Sequence, residues 1–578
     1  MIILGLNILH GDSAACLIKD GKLIAAVEEE RFNRTKHSSE FPINSIKYCL
    51  AAGNINIQNV NIITVNSKSS YNFFNKIFFI LRNIIVLIPF FLTRLNKTIY
   101  PKKNIKRELS HFFKVPIKAK LIFVPHHLAH AFSTLFFLED NENSIIFSFD
   151  GSGDFSTTEV YLVKTNKIKL IKKYLFPNSL GLFYTSLTQL VGFKNYGDEF
   201  KFMGLAAYGK PIYYKKIKKL IKCFDPFKLD MSFFNLPVID YSNSFPQINK
   251  LYNSKLANLF YNKKNIFEQS YQNQISKDIA ASTQKVFEEI VINLLKNLKN
   301  KYNSKKLYLT GGCAFNSLLV GKIIQSKIFD HIFVEANPGD AGGAVGSAFY
   351  ALQKEKIKID YKQTRQFLGP QFSNKEIETK IISKISNNNC YKINFFEDFN
   401  KLSIKAAKLI KRDGVICWFQ DKMEWGPRAL GNRSILADPA KKNIKKFINQ
   451  KVKDRELFRP FAVSILQEYA NSNFYMNGHK SPNMNIVFKA RNGIKKKYPD
   501  IVHADGTTRI HTVSEKDNKK FYNLIKDFNS LTGCQMLINT SLNIDEPIIL
   551  SPEQAWSMFK KTEVKSLIIN NWLIQKKN

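Results

Sequence analysis

Short apolar runs broken by glycine or polar residues open the chain. MIILGLNI, AACLIKD and KLIAAVEEERF predict three strands of a β-meander. A second set of strand patterns follows at AKLIFVPH, NSIIFSFDGSGD (143–154), TTEVYLVK and KIKLIKKYLF. The period then changes. In 278–300, Val286, Phe287, Ile290, Val291, Leu294 and Leu295 recur at helical spacing, so an amphipathic helix is expected there. Strands are expected again at KKLYLTGG (305–312) and HIFVEANPGD (331–340), followed by a small-residue helix, AGGAVGSAFYALQ (341–353), suited to close packing. Around 353–370 the chain turns polar and the pattern restarts. A domain boundary is placed there, giving domains 1–360 and 361–578.

One segment stands apart. Residues 73–97, FFNKIFFILRNIIVLIPFFLTRLNK, are strongly apolar, but Arg82 and Asn83 divide them and Pro89 interrupts the remainder. The unbroken part falls short of the roughly 20 residues that span a bilayer. Two readings stand: a helix packed on the protein's own core, which is favoured, or a basic-flanked helix lying on a membrane surface.

Composition sharpens this only in part. Lys and Arg number 86 against 47 Asp and Glu, a formal net charge of +39 over 578 residues. Such a cation is drawn to nucleic acid, anionic lipid or phosphorylated small molecules. The lysines are dispersed, however, and travel with Asn and Ile, residues that share AT-rich codons. Compositional drift over solvated faces is therefore the favoured reading of most of the charge. The seven cysteines are scattered without a CxxC pair, which argues against a disulfide framework and a cysteine zinc site. A reducing cytoplasm is expected, and the start of the chain reads as a buried strand rather than a signal peptide.

The chemistry gathers in the glycine turns. GLNILHGDS (5–13), FDGSGD (149–154), LTGGCAFN (309–316) and NPGDAGGA (337–344) each follow a strand and expose backbone N–H groups able to cradle phosphate. Their arrangement is similar to the actin/Hsp70/sugar-kinase fold, in which two related α/β halves close on a nucleotide. In PHHLAHAFS (125–133), His126 and His130 are four apart and share one helix face, as metal ligands must; His127 points elsewhere. Asp340 ends a strand in a Gly-Asp turn and can add an oxygen ligand. Two His and a carboxylate suit Fe(II), Mn or Zn.

These motifs, with GDEFKFMGLAAYG (197–209), EWGPRALGNRSILADP (424–439), NQKVKDRELFRPFAVS (449–464), HADGTTRIHTV (503–513) and TGCQMLINTSLNIDEPI (532–548), resemble in order those of the O-carbamoyltransferase family, from residue 2 to about 560. The resemblance implies an α/β enzyme with two sites. The N-terminal actin/Hsp70-like (ASKHA) domain would hold Fe(II) or another divalent metal on His126, His130 and Asp340. The C-terminal YrdC-like domain would join carbamoyl phosphate and ATP, the latter with Mg, into carbamoyl-adenylate. The carbamoyl group would then pass to an alcohol of a small molecule or glycan.

In those roles His10 is the expected base, with Asp12 as its orienter or a second acceptor. Lys36, Gly151, Ser152, Lys201, Gly204, Gly311, Gly312 and Asn316 fall on the implied nucleotide loops. Dense anions require fixed cations and planar forks, which Arg428, Arg433, Lys453, Arg455, Arg459 and Arg509 can supply, at least two of them being expected to serve structure instead. Asn539, Ser541 and Asn543 would add neutral donors. His511 stands where Gln is more usual, and Val463 where Pro is frequent; neither removes an essential charge. The kinship of both domains to tRNA-modification proteins supplies the competing reading, an RNA-binding or tRNA-modifying protein, against which the dispersed lysines speak. A homodimer is left open, and peripheral contact with the inner membrane face through 73–97 remains the alternative for that segment.

Overall fold

The computed structural model describes residues 1–8, 10–83, 104–135, 143–164, 167–241, 244–261, 270–358 and 366–577. The chain divides into two compact units, Met1–Gln363 and Thr364–Asn578. The expected domain boundary at residue 360 itself lies outside the described residues.

In the first unit, β1 (Ile2–Asn7), β2 (Ala14–Lys19) and β3 (Lys22–Glu28) form the expected antiparallel meander, and β4 (Ile62–Val65) and β5 (Lys120–Phe123) add in parallel, giving the order β3-β2-β1-β4-β5. A second sheet repeats the plan. Strands β6 (Ser144–Gly153), β7 (Ser156–Lys164) and β8 (Lys167–Leu175) are antiparallel, and β9 (Lys306–Thr310) and β10 (His331–Val334) extend the sheet in parallel beside β6. Two sheets with one connectivity are the duplicated architecture of the actin/Hsp70-like fold. The central strand β1 is buried almost end to end and β6 over its first six residues, as strands covered on both faces must be.

Five helices of this unit carry or brace its functional surfaces: α1 (Phe73–Arg82), α2 (His126–Leu135), α3 (Glu199–Ala206), α4 (Gln274–Tyr302) and α5 (Asp340–Lys354). The α4 periodicity is as expected, with Val286, Phe287, Ile290, Val291, Leu294 and Leu295 all buried. The small-residue run of α5 has a steric cause. A Cβ added at Gly346 would stand 1.8 Å from the Ala129 carbonyl oxygen of α2, so the two helices cross at backbone contact. That crossing sets the start of α5, Asp340, beside the histidines of α2.

Helix α1 departs from the favoured expectation. Only Phe79 packs well inward, edge-on against Phe155 and Phe176, while Phe73, Phe74, Ile77, Phe78 and Leu81 are exposed. Ten residues make a helix of about 15 Å, and its inner face has room for few contacts. The remainder of the 73–97 segment, from residue 84, lies outside the described residues. No helix among the described residues is long and apolar enough to cross a membrane.

The second unit is built on one mixed sheet. Its strands are β11 (Tyr391–Phe395), β12 (Val415–Phe419), β13 (Arg433–Ala437), β14 (Ala462–Leu466), β15 (Ile486–Lys489), β16 (Thr507–Val513), β17 (Met536–Ser541), β18 (Ser566–Ile569) and β19 (Trp572–Lys576), in the order β11-β19-β18-β12-β13-β17-β14-β16-β15. Helices Phe399–Asp413, Lys519–Thr532 and Pro552–Lys561 pack against it. Arg509, Ala462 and Asn539 are paired residues on β16, β14 and β17, so their side chains share one face of the sheet.

Candidate active sites

Four side chains converge in the first unit. His126 and His130, one turn apart on α2, bring their Nε2 atoms to 3.1 Å of each other. Asp340 Oδ1 lies 3.4 and 3.5 Å from them, and Asp150 Oδ2 lies 3.4 Å from His130 and 3.9 Å from His126. All four donor atoms fall within 4.8 Å of one another, the spacing of a shared ion. Asp150 lies in β6 where its register with β7 shifts, and its carboxylate is clamped there by the backbone N–H groups of Gly151 (2.6 Å) and Gly312 (2.9 Å). Gly153 lacks a Cβ because the His126 ring occupies its place.

The electrostatics fit a cation. Asp340 Oδ1 is buried and accepts no hydrogen bond, an arrangement that costs free energy unless something positive fills it. Burial alone would push the His130 imidazole down; contact with Asp150 and Asp340 outweighs it and holds it up at about 9. Burial would likewise raise Asp150, but His126 and His130 hold it well below the usual carboxylate range. Two imidazoles and two carboxylates are a donor set for Fe(II), Mn or Zn. His127 is excluded from the set: its Nδ1 bonds Ser148 Oγ at 2.8 Å, and burial pushes it down to about 4.

His10 adjoins the cluster, its Nδ1 3.3 Å from Asp340 Oδ2 and its ring edge-on to His126. The expectation that Asp12 orients it needs correction. Asp12 has a left-handed backbone (φ 59°), and its Oδ1 meets His37 Nδ1 at 2.8 Å. Burial would lower His37, but the Asp12 charge and hydrogen bond raise it to about 9.

The expected nucleotide loops are brought together unevenly. Gly151 and Gly312 flank Asp150, and Gly311 adopts φ 89° where a Cβ would strike the Phe149 carbonyl. Ser152 and Lys36 are exposed. Lys201, on α3 with Gly204, pairs with Asp198 at 2.6 Å. Asn316 is engaged elsewhere: its Oδ1 caps helix Ser317–Gln325 through Leu319 N–H, and its amide exchanges two 3.0 Å hydrogen bonds with Gln284. An Asn just before a helical run is a capping signal in its own right, and it outcompetes the expected ligand role here.

In the second unit cations predominate. Burial lowers Arg455 to about 9 and Arg509 to about 10, with Arg459 and Arg509 adding repulsion at Arg455. Burial and the Arg509 charge also press Arg428 well below its usual range. Buried like charges favour an anion beside them. Arg459 has Glu456 at 2.6 Å, and Arg455 is steadied by Asn449 Oδ1 and the Phe461 ring.

Arg433 is different. It is fully buried and donates to the carbonyls of Pro370, Gln420, Asp421 and Asn432 while lying 3.6 Å over the Phe419 ring. Its guanidinium holds loops together, so it is removed from the anion-binding set. Glu424, whose Oε1 accepts the backbone N–H groups of Leu430, Asn432 and Arg433, shapes the same loop. Lys453 Nζ binds Ser541 O and Oγ and Asn543 O and Oδ1, which unites three expected residues in one turn. Asn539 offers an acceptor instead of the expected donors. Its Nδ2 is taken by Ala429 O and Ser464 Oγ, and its buried Oδ1 has no hydrogen bond. Ser464 Oγ also meets His511 Nδ1 at 2.8 Å, and burial lowers His511 to about 3.

Two residue groups escaped sequence reasoning: Asp150, and the Ser464–His511 pair. Asp150 stood in a quoted motif, FDGSGD, as the last residue before its turn, where strand ends commonly present ligands.

The chain is similar to known proteins along most of its length. Residues 2–349 match the family model for the carbamoyltransferase N-terminus and residues 407–576 that for the carbamoyltransferase C-terminus. The nodulation protein NolNO of Sinorhizobium fredii is 32% identical over 99% of this chain and 80% of its own length. NolO of Bradyrhizobium diazoefficiens is 33% identical over 78% of this chain and 79% of its own. Among solved structures, the activator of 2-hydroxyisocaproyl-CoA dehydratase from Clostridium difficile aligns with 62% of this chain and 96% of its own at 15% identity and TM-score 0.33.

Proposed function

The chain belongs to the carbamoyltransferase family, and from that premise we propose that it is an ATP-dependent O-carbamoyltransferase with a division of labour between its two units. The observation that carries the reading is the convergence of His126, His130, Asp150 and Asp340, with His10 at its edge. A divalent metal held by those four side chains would supply a Lewis acid for the carbamoyl carbonyl oxygen.

In the second unit, Arg428, Arg455, Arg459 and Arg509 bind the phosphates of carbamoyl phosphate and Mg-ATP, and the Lys453–Ser541–Asn543 turn orients them. Carbamoyl phosphate is hydrolysed to carbamate and phosphate. A carbamate oxygen then attacks the α-phosphorus of ATP, giving carbamoyl-adenylate and releasing pyrophosphate. In the first unit the alcohol oxygen of a small molecule or glycan attacks the carbamoyl carbon, and AMP leaves. His10 accepts the hydroxyl proton, while the Gly151 and Gly312 N–H groups hold Asp150 in place.

The test is turnover by the full chain, loaded with Fe(II), on ATP and carbamoyl phosphate across a panel of alcohols. Pyrophosphate, AMP and a carbamoylated alcohol should form in equal amounts. Acceptor carbamoylation that proceeds without ATP would sink the adenylate route.

A further inference from the structure

Helix α1 is amphipathic in an unusual sense, because its apolar face is the outer one. Phe73, Phe74, Ile77, Phe78 and Leu81 occupy an arc of about 140° on the helix, and their exposures run from 39% at Ile77 to 84% at Phe74. Single exposed apolar side chains are ordinary, but a contiguous patch of five, three of them Phe, marks a contact surface. The opposite face is what fastens the helix to the protein. The Phe79 ring centroid lies 5.5 and 5.4 Å from those of Phe155 and Phe176. Just before the helix, Asn72 Nδ2 donates to Asp154 O (3.0 Å) and Ser156 Oγ (2.9 Å).

Charge distinguishes among occupants. Between Glu40 and Glu108 the sequence contains no Asp or Glu, whereas it contains ten Lys or Arg. Lys76 and Arg82 are on α1 itself, and Lys68 stands exposed just before it. A second copy docked face to face would set these cations against their own equivalents, and a neutral apolar partner gives them nothing to meet. We propose that the outer face of α1 lies flat on an anionic lipid bilayer, Phe74, Phe78 and Leu81 entering the acyl boundary and Lys76 and Arg82 meeting lipid phosphates. A ten-residue helix cannot span the bilayer but can rest in its interface. This inference is independent of the carbamoyl chemistry.

Vesicle co-sedimentation of the full chain tests it without any assay of activity. Vesicles of phosphatidylcholine with about a third phosphatidylglycerol should bind the protein at least about tenfold more tightly than phosphatidylcholine alone, and the difference should shrink at high salt. The double variant Phe74→Asp/Phe78→Asp should lose at least about tenfold of that binding with its melting temperature unchanged, since both rings face outward. Lys76→Gln/Arg82→Gln should lose the preference for the anionic vesicles. Wild-type protein that ignores anionic vesicles, or a double-Asp variant that binds them as well as wild type, overturns the proposal. So does a double-Asp variant that turns a sedimenting dimer into monomer, because a second copy would then be the occupant.

Discussion

The two candidate sites have opposite electrostatic debts. In the first unit, Asp150 and Asp340 face His126 and His130 with one buried carboxylate oxygen left without a hydrogen bond. In the second, burial lowers Arg428, Arg455 and Arg509, and the Arg509 charge adds to it at the other two. In the proposed function, one arrangement takes a cation and the other an anion. The contrast teaches that ligand sign is read from the local imbalance and not from the whole chain, whose +39 is the same for both.

The strongest way to break the comparison is to remove the cation site. His126→Ala/His130→Ala should lower affinity for Fe(II) by at least about a hundredfold, measured by metal analysis after dialysis. Metal retained at wild-type levels would place the ion elsewhere. A second test separates two arginines that carry the same expectation from sequence but differ in role. Arg433→Ala removes the hydrogen bonds to four loop carbonyls and empties a fully buried site, and should destabilise the second unit by about 3 kcal/mol or more, read from denaturant unfolding. Arg509→Ala should leave stability intact while raising the KM for carbamoyl phosphate about tenfold or more. If Arg509→Ala unfolds the protein and Arg433→Ala only weakens binding, the assignment is reversed.

The smallest expected effect concerns His37, which pairs with Asp12 beyond the metal cluster. Its folded value, about 9, lies above the unfolded value near 6.5. The pair therefore contributes fully below about pH 6.5, and its contribution fades as pH rises through about 9. Because His37 is about a third exposed, the effect is modest. Asp12→Asn should flatten the decline of melting temperature between pH 6.5 and 9, and an unchanged slope would assign that decline to other groups.

Much of the fold was legible because it is local. Strands β1 to β3 and β5 to β10 follow from runs of period two or continuous apolar residues, and α4 from its 3.6-residue period. The pairing of His126 with His130 was legible for the same reason, being set by helix geometry alone. Asp340 entered through its Gly-Asp turn at the end of a strand pattern. What escaped depended on the backbone or on burial. The left-handed turn at Asp12 swings a carboxylate two residues from His10 toward His37 instead. Arg433 has the sequence context of a phosphate ligand, but it sits on a strand buried along its whole length. The exposed face of α1 reads as core in sequence, because apolar composition does not say which side of a helix the protein covers.

That the two sites divide one reaction is tested by two variants side by side. Given ATP, carbamoyl phosphate and an acceptor alcohol, His126→Ala/His130→Ala should still release pyrophosphate yet make no carbamoylated alcohol. Arg509→Ala should do neither at wild-type substrate concentrations. Carbamoylated alcohol from the histidine variant at the wild-type rate, or full pyrophosphate release from the arginine variant, would contradict it.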